Sequence, residues 1–501
     1  MHDKVFSCTI CGLTPKIIEV ETDIQNGLPS FSVVGLGDAS VQESKERVRS
    51  ALKNSKAQFP PLRKTVNLAP ANMRKSGPAF DLPIAVSILA ASGQIPKEKL
   101  QESLFIGELA LNGVLRKVRG ILPTVICARD NGFKKVYLPA SNADEGALVE
   151  GIEIIPASNL RALIDHFYKN NLRPHKYFST ICAQRDSIYD FKFIKGLERE
   201  KRILEMAAAG KHHVLMHGPP GSGKTLLART FQTILPDLDK QESMEVTSIY
   251  SVAGLLPERV PLVRSAPFRE IHPSATEKAI LGGGSVNLSP GEITLAHKGV
   301  VFFDELSEFP VSLIESLRKP LEDETITIQR TANKTVLPAD FIFIGAMNPC
   351  SCGFYGDTEK ACKCTMAQIT RHQKKLSGPF LDRIDIFVPM QRIKFEEVLK
   401  RRDSESSESI RVRIAKARKL QIERQGKVNS KLFGSELRKY CVLDRDSKEL
   451  LKEATYKLHI STRGVIKIVK IARTIADAEN AKDIRVEHVA EAIQYRILSL
   501  H

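Results

Sequence analysis

One stretch of eight residues has the types and the spacing that cradle the phosphates of a nucleotide. It fits the pattern G-x-x-x-x-G-K-[ST] at every position, with Lys224 and Thr225 at its end. Glycines let backbone N–H groups turn inward on phosphate oxygens, while Lys224 would reach the β- and γ-phosphates and Thr225 would bind Mg²⁺. The stretch therefore predicts a site for ATP and Mg²⁺. Its members are Gly218, Pro219, Pro220, Gly221, Ser222, Gly223, Lys224 and Thr225.

Two carboxylates and an amide follow apolar runs further along the chain. Asp304 and Glu305 end one run, and Asn348 comes shortly after the next. Open α/β sheets place ligands at the carboxyl ends of their strands, so we expect these side chains beside the phosphates. Asp304 would hold the magnesium hydration sphere, and Glu305 would orient and deprotonate the attacking water. Asn348 either lies near the γ-phosphate or caps a turn before Pro349.

Four of the nine cysteines form two C-x-C pairs that are separated by nine residues. Four thiolates are a sufficient tetrahedral set for zinc, and such a site would be structural because no position remains for water. The one-residue spacers are shorter than in the commonest zinc pattern, so a loop of reduced cysteines is the alternative. The cysteines are Cys350, Cys352, Cys362 and Cys364.

Strand and helix patterns surround these positions as a nucleotide-binding sheet requires. An apolar strand pattern at 214–216 precedes the phosphate loop, and a helical pattern at 226–231 follows it. Apolar strands are also predicted at 299–303 and 341–346, ahead of the carboxylates and the amide. The sequence therefore predicts an α/β core with these side chains at one edge of its sheet.

The segments on either side of this core differ from it in pattern. Residues 1–165 mix strand and helix patterns and are predicted to be α+β, residues 166–190 are polar and typical of a linker, and residues 391–501 are helical. The predicted domains are therefore 1–165, a linker at 166–190, a core at 191–390 and a helical lid at 391–501, which suits the length of 501 residues. Outside the core we expect strands at 31–34 and 65–68, and helices at 40–54, 81–93, 444–458, 462–480 and 486–498.

Composition limits the partners and the compartment. Lys and Arg exceed Asp and Glu by 16 charges, a surplus that suits a polyanionic partner without requiring one. No apolar stretch approaches membrane-spanning length, and the N-terminus lacks the pattern of a secretory signal. We therefore expect a cytoplasmic protein with no membrane partner, whose clustered cysteines favour metal binding over disulfides.

Residues 67–95 and 107–123 resemble the Lon-protease-like domain of the ComM (YifB) proteins, and the likeness covers nearly all 501 residues. These proteins are magnesium-chelatase-like AAA+ ATPases. The resemblance implies a multidomain α/β fold with a Lon-protease-like (S5 domain 2-like) α+β N-terminal domain, a P-loop NTPase αβα core and an all-helical lid. Ala79 and Leu122 stand where a Lon protease has its serine and lysine, and neither can do that chemistry. The domain is therefore expected to be catalytically dead.

The same resemblance implies roles for further side chains. Asn348 takes the place of the AAA+ polar sensor, Arg383 that of the arginine finger, and Arg463 that of the second sensor on the lid. From the residues alone, Arg383 is also typical of a salt-bridged surface residue, and Arg463 of a satisfied surface arginine. Arg330 and Lys334 lie near the tip of a hairpin pattern, where related hexameric helicases grip the DNA backbone. An ordinary surface hairpin with basic ends is the alternative.

The resemblance implies a homo-hexameric ring that hydrolyses Mg-ATP and translocates on or remodels single-stranded or branched DNA, as ComM does in branch migration during natural transformation. Residues 250–297 are expected to project as a loop towards the central channel of that ring. The alternatives are a magnesium-chelatase-like metal-insertion motor and a protein-remodelling ATPase. The replaced Lon dyad disfavours an ATP-dependent protease. Lys224, Asp304 and Glu305 together disfavour a non-enzymatic scaffold.

Overall fold

The computed structural model describes residues 4–75, 77–177, 188–257, 260–283, 289–329, 334–357, 359–392 and 404–497. The chain divides into two compact units. The first comprises Met1–Ala183, Ser243–Val263 and Gly283–Pro290, and the second comprises Gln184–Glu242, Arg264–Gly282 and Gly291–His501. Two stretches of the predicted core segment therefore group with the N-terminal residues.

The strands of the described residues are short, and most belong to two sheets. In chain order they are β1 (Lys4–Cys11), β2 (Thr14–Gln25), β3 (Ser30–Val34), β4 (Arg63–Ala69), β5 (Ser103–Phe105), β6 (Glu108–Leu109), β7 (Leu115–Arg116), β8 (Lys135–Pro139), β9 (Glu153–Ala157), β10 (Val214–His217), β11 (Phe268–Ile271), β12 (Gly282–Gly283), β13 (Ser289–Pro290), β14 (Val300–Phe303), β15 (Thr325–Gln329), β16 (Lys334–Pro338), β17 (Ile342–Met347) and β18 (Ile386–Pro389).

The α-helices of the described residues dominate the C-terminal part of the chain. In chain order they are α1 (Ala39–Asn54), α2 (Asp81–Ala91), α3 (Ile121–Asp130), α4 (Ala143–Gly146), α5 (Leu160–Lys169), α6 (Glu198–Gly210), α7 (Lys224–Ile234), α8 (Lys240–Ala253), α9 (Glu277–Leu281), α10 (Glu292–Leu295), α11 (Val311–Ser316), α12 (Arg318–Asp323), α13 (Met366–Gln373), α14 (Gly378–Leu381), α15 (Ser407–Gln425), α16 (Ser435–Tyr440), α17 (Arg445–Lys457), α18 (Thr462–Ala478) and α19 (Val486–Gln494).

The first unit is built on a seven-stranded mixed sheet in the order β3-β4-β2-β1-β5-β8-β9. Strand β2 runs antiparallel to β1 and β4, whereas β5, β8 and β9 run parallel to one another. Helix α1 carries Val41, Val48 and Leu52 at helical spacing, and these side chains join the same buried cluster as Val66 and Leu68 of β4. The unit is therefore an α+β arrangement with its own core.

The second unit contains a five-stranded parallel sheet in the order β11-β14-β17-β10-β18. Every residue of β10, β14 and β17 is buried. Because a parallel sheet is covered on both faces, its strands are continuous apolar runs, which is why they could be found in the sequence. The carboxyl ends of these three neighbouring strands come out at one edge of the sheet.

The C-terminal helices share a core with this sheet. Ile468, Ile471 and Ile475 lie on one face of α18 and belong to the same buried cluster as Val214 and Met216 of β10. The start of α18 is fixed by Ser461, whose hydroxyl accepts the N–H of Gly464. The helical region is thus packed as part of the second unit.

The structure confirms the predicted α/β core, whose sheet is parallel, and the predicted helical C-terminal region. The first residues of the predicted linker at 166–190 belong to helix α5, in which His166 and Phe167 are buried. Residues 178–187 of the linker lie outside the described part of the chain. The expectation of a projecting loop at 250–297 is wrong for β11, which is the edge strand of the parallel sheet. The Lon-like character of the N-terminal domain and the other domain boundaries stay predictions.

Among the described residues, no helix combines the length and the apolar character that crossing a membrane requires.

Candidate nucleotide-binding site

The phosphate loop joins β10 to α7, and geometry explains its glycines. Gly221 and Gly223 have φ values of 77° and 86°, in the left-handed region that favours glycine. Gly218 has no room for a side chain, because a Cβ there would lie 2.3 Å from the backbone oxygen of Met390. Pro220 and Gly221 form the exposed surface of the loop. The backbone of this loop is therefore open to an approaching anion.

Lys224 opens α7 and folds back over the loop. Its Nζ donates to the backbone oxygens of Gly218 and Pro219, each at 2.8 Å, and to Oδ1 of Asn348 at 3.2 Å. The buried hydroxyl of Ser222 donates to the same Pro219 oxygen at 2.8 Å. The structure thus brings together the predicted phosphate-binding lysine and the predicted sensor amide.

The charge of Lys224 is poorly compensated. Burial lowers the pKa of its ammonium group to about 8, although the carboxylates of Asp304 and Glu305 act in the opposite direction. All of the hydrogen bonds given above for Nζ go to neutral oxygens. A buried ammonium group of this kind fits an incoming phosphate, which would supply the missing negative charge.

Thr225 and Asp304 supply a pair of oxygens next to the loop. Oγ1 of Thr225 donates to Oδ2 of Asp304 at 2.8 Å, and the backbone N–H of Glu305 donates to Oδ1 of the same carboxylate at 2.9 Å. Mg²⁺ prefers oxygen ligands such as hydroxyl and carboxylate groups, so Thr225 and Asp304 fit this metal. Glu305 is exposed and has a positive φ of 50°, which turns the chain directly after β14.

Asn348 lies just beyond the end of β17 and is held from two sides. Its amide oxygen accepts the bond from Lys224, while its backbone oxygen accepts a bond from Nε2 of His372 at 3.1 Å. Sequence reasoning missed His372, because a lone histidine on the short helix α13 carries no motif. The half-buried position of Asn348 beside Lys224 suits a sensor of bound phosphate.

The two predicted arginines meet at Glu322. Nη2 of Arg383 lies 2.8 Å from its Oε1, and Nη2 of Arg463 lies 3.9 Å from the same oxygen. The side chain of Arg383 is 10% exposed and that of Arg463 is 58% exposed. Within the described ranges, neither guanidinium hydrogen-bonds to the phosphate loop. The roles of Arg383 as arginine finger and of Arg463 as second sensor stay predictions. The contact that Arg383 makes here is a salt bridge with Glu322, as the alternative interpretation expects.

The four cysteines lie together in the loop between β17 and α13. Their sulfur atoms all lie within 4.8 Å of one another, and the cysteines are unoxidised. Cys350 is buried, and the other three are partly exposed. Four converging sulfurs fit a structural zinc ion, because they are enough to fill its four tetrahedral positions. The cysteines are Cys350, Cys352, Cys362 and Cys364.

The predicted hairpin is formed by β15 and β16, in the register Gln329 opposite Lys334. Lys334 is exposed at the tip end of β16. Arg330 lies outside the described residues. Contacts of this hairpin with DNA stay a prediction.

Two further residues at the loop were not predicted from their own patterns. Leu197 lies 3.5 Å by its Cδ1 from the Cβ position of Gly223, and it has a positive φ of 59°. His217 precedes the loop with its Nε2 buried and unpaired among the described residues. Burial, together with the charge of Lys224, lowers the pKa of His217 to about 4. The apolar run at 214–216, directly before His217, was the available signal, but it indicated only a strand.

Comparison with known proteins places relatives along the whole chain. The family described as "Magnesium chelatase, subunit ChlI" matches residues 190–398, "Subunit ChlI of Mg-chelatase" matches 20–142, and "Magnesium chelatase, subunit ChlI C-terminal" matches 404–496. The chain is 38% identical over 492 residues to the uncharacterized protein YifB of Escherichia coli, covering 97% of this chain and 95% of that protein. It is 36% identical over 504 residues to the competence protein ComM of Haemophilus influenzae, covering 99% and 97%. A shorter match, 30% identical over 190 residues, joins 32% of this chain to 28% of the magnesium-chelatase 67 kDa subunit of Heliobacterium mobile.

Proposed function

Because this chain belongs to the ComM and YifB family of magnesium-chelatase-like proteins, we propose that it is a ring-forming AAA+ ATPase that uses Mg-ATP hydrolysis to translocate on or remodel DNA. The observation that carries the proposal is the meeting of Lys224, Thr225, Asp304 and Asn348 at one edge of the parallel sheet. In P-loop NTPases a lysine binds the phosphates while a hydroxyl and a carboxylate hold the metal, and the amide of Asn348 adds a polar group beside the lysine.

Each of these side chains has a distinct task in hydrolysis. Lys224 binds the β- and γ-phosphates. Asn348, which accepts a hydrogen bond from Lys224, contacts the γ-phosphate. Thr225 and Asp304 would hold Mg²⁺, which when bound shields the charge of the phosphates. Glu305, exposed beside Asp304, accepts the proton of the attacking water.

Assembly completes the proposed site. Arg383 and Arg463 lie together at Glu322 and do not bond to their own phosphate loop. In a homo-hexamer, Arg383 would neutralise charge that develops on the γ-phosphate of a neighbouring copy, and hydrolysis would then depend on assembly. Arg463 would link the angle of the helical lid to the nucleotide state.

DNA is the partner that the charge and the relatives favour. The chain carries a surplus of 16 positive charges, and Lys334 is exposed at the hairpin. One full-length relative is named a competence protein. We propose that Lys334 and Arg330 contact phosphates of single-stranded or branched DNA in the cytoplasm, in a step such as branch migration.

The N-terminal unit is proposed to be a Lon-like module without peptidase activity. Leu122 is fully buried, and its backbone N–H donates to Oε1 of Glu145 at 3.0 Å. Ala79 packs against the buried cluster that contains Leu122. Neither side chain offers a nucleophile or a base. The proposed cofactors of the whole chain are Mg²⁺ with ATP, and a structural zinc ion on the cysteine cluster.

The test of the proposed function is the rate of ATP hydrolysis by the full chain with no DNA, single-stranded DNA, duplex DNA or a four-way junction. We expect DNA to raise the rate, with the preferred structure giving the largest effect. Glu305→Gln should lower turnover by about 100-fold or more and leave nucleotide binding intact, because the glutamine cannot accept a proton. Unchanged turnover in Glu305→Gln would remove the catalytic assignment.

A metal-insertion motor is the second candidate, because all three matching family descriptions name a magnesium chelatase. A chelatase motor or a protein-remodelling ATPase would hydrolyse ATP at the same site without responding to DNA. ATP turnover that none of the DNA substrates stimulates would therefore favour these candidates over the DNA motor.

A further inference from the structure

The sulfur atoms of the cysteine cluster are spaced closely enough to bind one metal ion together. The sulfur of Cys350 lies 3.4 Å from that of Cys352 and 3.7 Å from that of Cys362, and the last two lie 3.5 Å apart. Four sulfurs at about 2.3 Å from a tetrahedral zinc ion would lie ~3.8 Å from one another. These spacings are close to that value and too long for a disulfide.

Backbone groups of the loop also point at the sulfurs. The N–H of Tyr355 donates to the sulfur of Cys350 at 3.3 Å, and the N–H of Cys364 donates to the sulfur of Cys362 at 3.4 Å. Such bonds stabilise a thiolate, which is the form that binds metal. Residues 350–364 contain few apolar side chains, so a metal is a better source of order for this loop than a core.

The loop lies directly against the nucleotide site. A Cβ on Gly353 would lie 2.7 Å from Cδ of Pro220 and 3.8 Å from the side-chain Cγ of Asn348. Gly353 has a positive φ of 84°, so this close approach depends on glycine. The loop backbone therefore touches both the exposed tip of the phosphate loop and the sensor side chain.

The middle of the cysteine loop is tied to the segment that follows β18. Nε of Arg392 donates to Oδ2 of Asp357 at 2.7 Å, and its guanidinium lies 5.5 Å from the centre of the Phe354 ring. Arg392 closely follows Met390, whose backbone oxygen lies against Gly218. The loop thus contacts the segments that directly follow β17 and β18, the two strands that flank β10.

We infer that zinc bound by Cys350, Cys352, Cys362 and Cys364 is a positioning device that holds Asn348 and Pro220 in place for hydrolysis. The inference rests on the proposed ATPase function. The cysteines touch no phosphate themselves and act through Asn348. Loss of the metal frees the loop, so Asn348 loses its fixed position while Lys224 still binds phosphate.

The test uses the full chain and two readouts, metal content by mass spectrometry and the kinetics of ATP hydrolysis. We expect about one zinc ion per chain in the wild type and in the control Cys11→Ser, whose cysteine is exposed and distant in sequence. The double variant Cys362→Ser/Cys364→Ser should lose the zinc, and its kcat should fall by about tenfold or more while nucleotide affinity is nearly unchanged. Removal of zinc from the wild type with a chelator should lower kcat to the same extent, and addition of zinc should restore it.

A double-mutant cycle separates positioning from general stability. If the metal acts through Asn348, the cysteine changes should add little to the loss already caused by Asn348→Ala. Additive losses, full kcat after zinc removal, or a wild type without zinc would each overturn the inference. A wild type that holds zinc but does not hydrolyse ATP would overturn the proposed function and the inference together, whereas turnover that ignores zinc overturns the inference alone.

Discussion

The hydroxyl of Thr225 donates a hydrogen bond of 2.8 Å to the carboxylate of Asp304, and so connects the start of α7 to the end of β14. These elements are 79 residues apart in the chain. Because β14 and β10 both flank β17, the sheet brings the two oxygens to one edge. The pair is the part of the site that we expect Mg²⁺ to use.

Removal of the Thr225 hydroxyl should therefore weaken the use of magnesium. We expect Thr225→Val to raise the Mg²⁺ concentration needed for half-maximal ATP turnover by about tenfold or more, because one oxygen ligand is lost at nearly constant volume. Thr225→Ser keeps the hydroxyl and is the matched control. Magnesium titrations that coincide for the two variants would exclude Thr225 as a ligand.

The meeting of Arg383 and Arg463 at Glu322 leads to a prediction about assembly. Arg383→Ala and Lys224→Ala should each lower ATP turnover by more than about 1,000-fold. A mixture of the two should recover part of it, because some interfaces then pair an intact Lys224 with an intact Arg383. Turnover of the mixture is measured after subunit exchange.

The control for this experiment mixes Lys224→Ala with Glu305→Gln. Both residues belong to the same subunit's site, since Asp304 beside Glu305 is bonded to Thr225 beside Lys224. No interface in that mixture is complete, so no recovery is expected. Equal turnover in the two mixtures would argue against an arginine that acts across subunits.

Local pattern was sufficient to predict the strands and helix around the phosphate loop and the grouping of the cysteines. Buried parallel strands such as β10 and β17 are continuous apolar runs, and the loop that they position has a fixed spacing. Edge strand β11 escaped prediction because two of its four residues, Arg269 and Glu270, are charged and only Ile271 is buried. A strand of four residues with one buried side chain is too short to show a clear alternation of apolar and polar positions.

Contacts between distant segments could not be predicted from pattern. The cluster at Glu322 joins helix α12 to two arginines far along the chain, and no spacing rule connects them. His372 on Asn348 is a similar case. The grouping of residues 243–263 with the first unit depends on packing and not on the composition of that stretch.

Loss of the Asp340 carboxylate should strongly destabilise the second unit. Its carboxylate lies 2.5 Å from the ammonium group of Lys211 and 3.0 Å from those of Lys298 and Lys431, and it is 8% exposed. Burial alone raises the pKa of Asp340, but these lysines overcome it, so the pKa lies well below its usual range. Asp340→Asn would leave the three cations without their shared anion, and we expect it to lower the free energy of unfolding by about 3 to 5 kcal/mol.

Glu324→Gln is the matched control for Asp340→Asn in chemical denaturation of the full chain. Glu324 also binds Lys431, at 2.6 Å, but its side chain is 41% exposed. Exposed ion pairs are weak, so the expected change is within about 1 kcal/mol. A similar decrease in the free energy of unfolding for both variants would show that the burial of Asp340 does not make its ion pairs stronger than the exposed pair of Glu324.

His213 occupies a place that only a neutral imidazole fits. Its Nδ1 accepts the backbone N–H of Phe343 at 3.1 Å, which a protonated ring could not do. Burial lowers the pKa of His213 to about 4 from its usual 6.5; the carboxylate of Asp385 favours the charged form, and Lys467 and His212 oppose it.

The stability that depends on a neutral His213 should be complete above pH 6.5 and should fall as the pH drops towards about 4. In that window the unfolded chain binds a proton that the folded chain refuses, so at pH 5 the free energy of unfolding should be about 2 kcal/mol lower on this account. His213→Asn keeps an acceptor for the Phe343 N–H and does not titrate. Chemical denaturation of both proteins at pH 7 and pH 5 should therefore show a smaller loss in the variant, by about that amount. Equal losses would mean that His213 is protonated as readily in the folded chain as in the unfolded one.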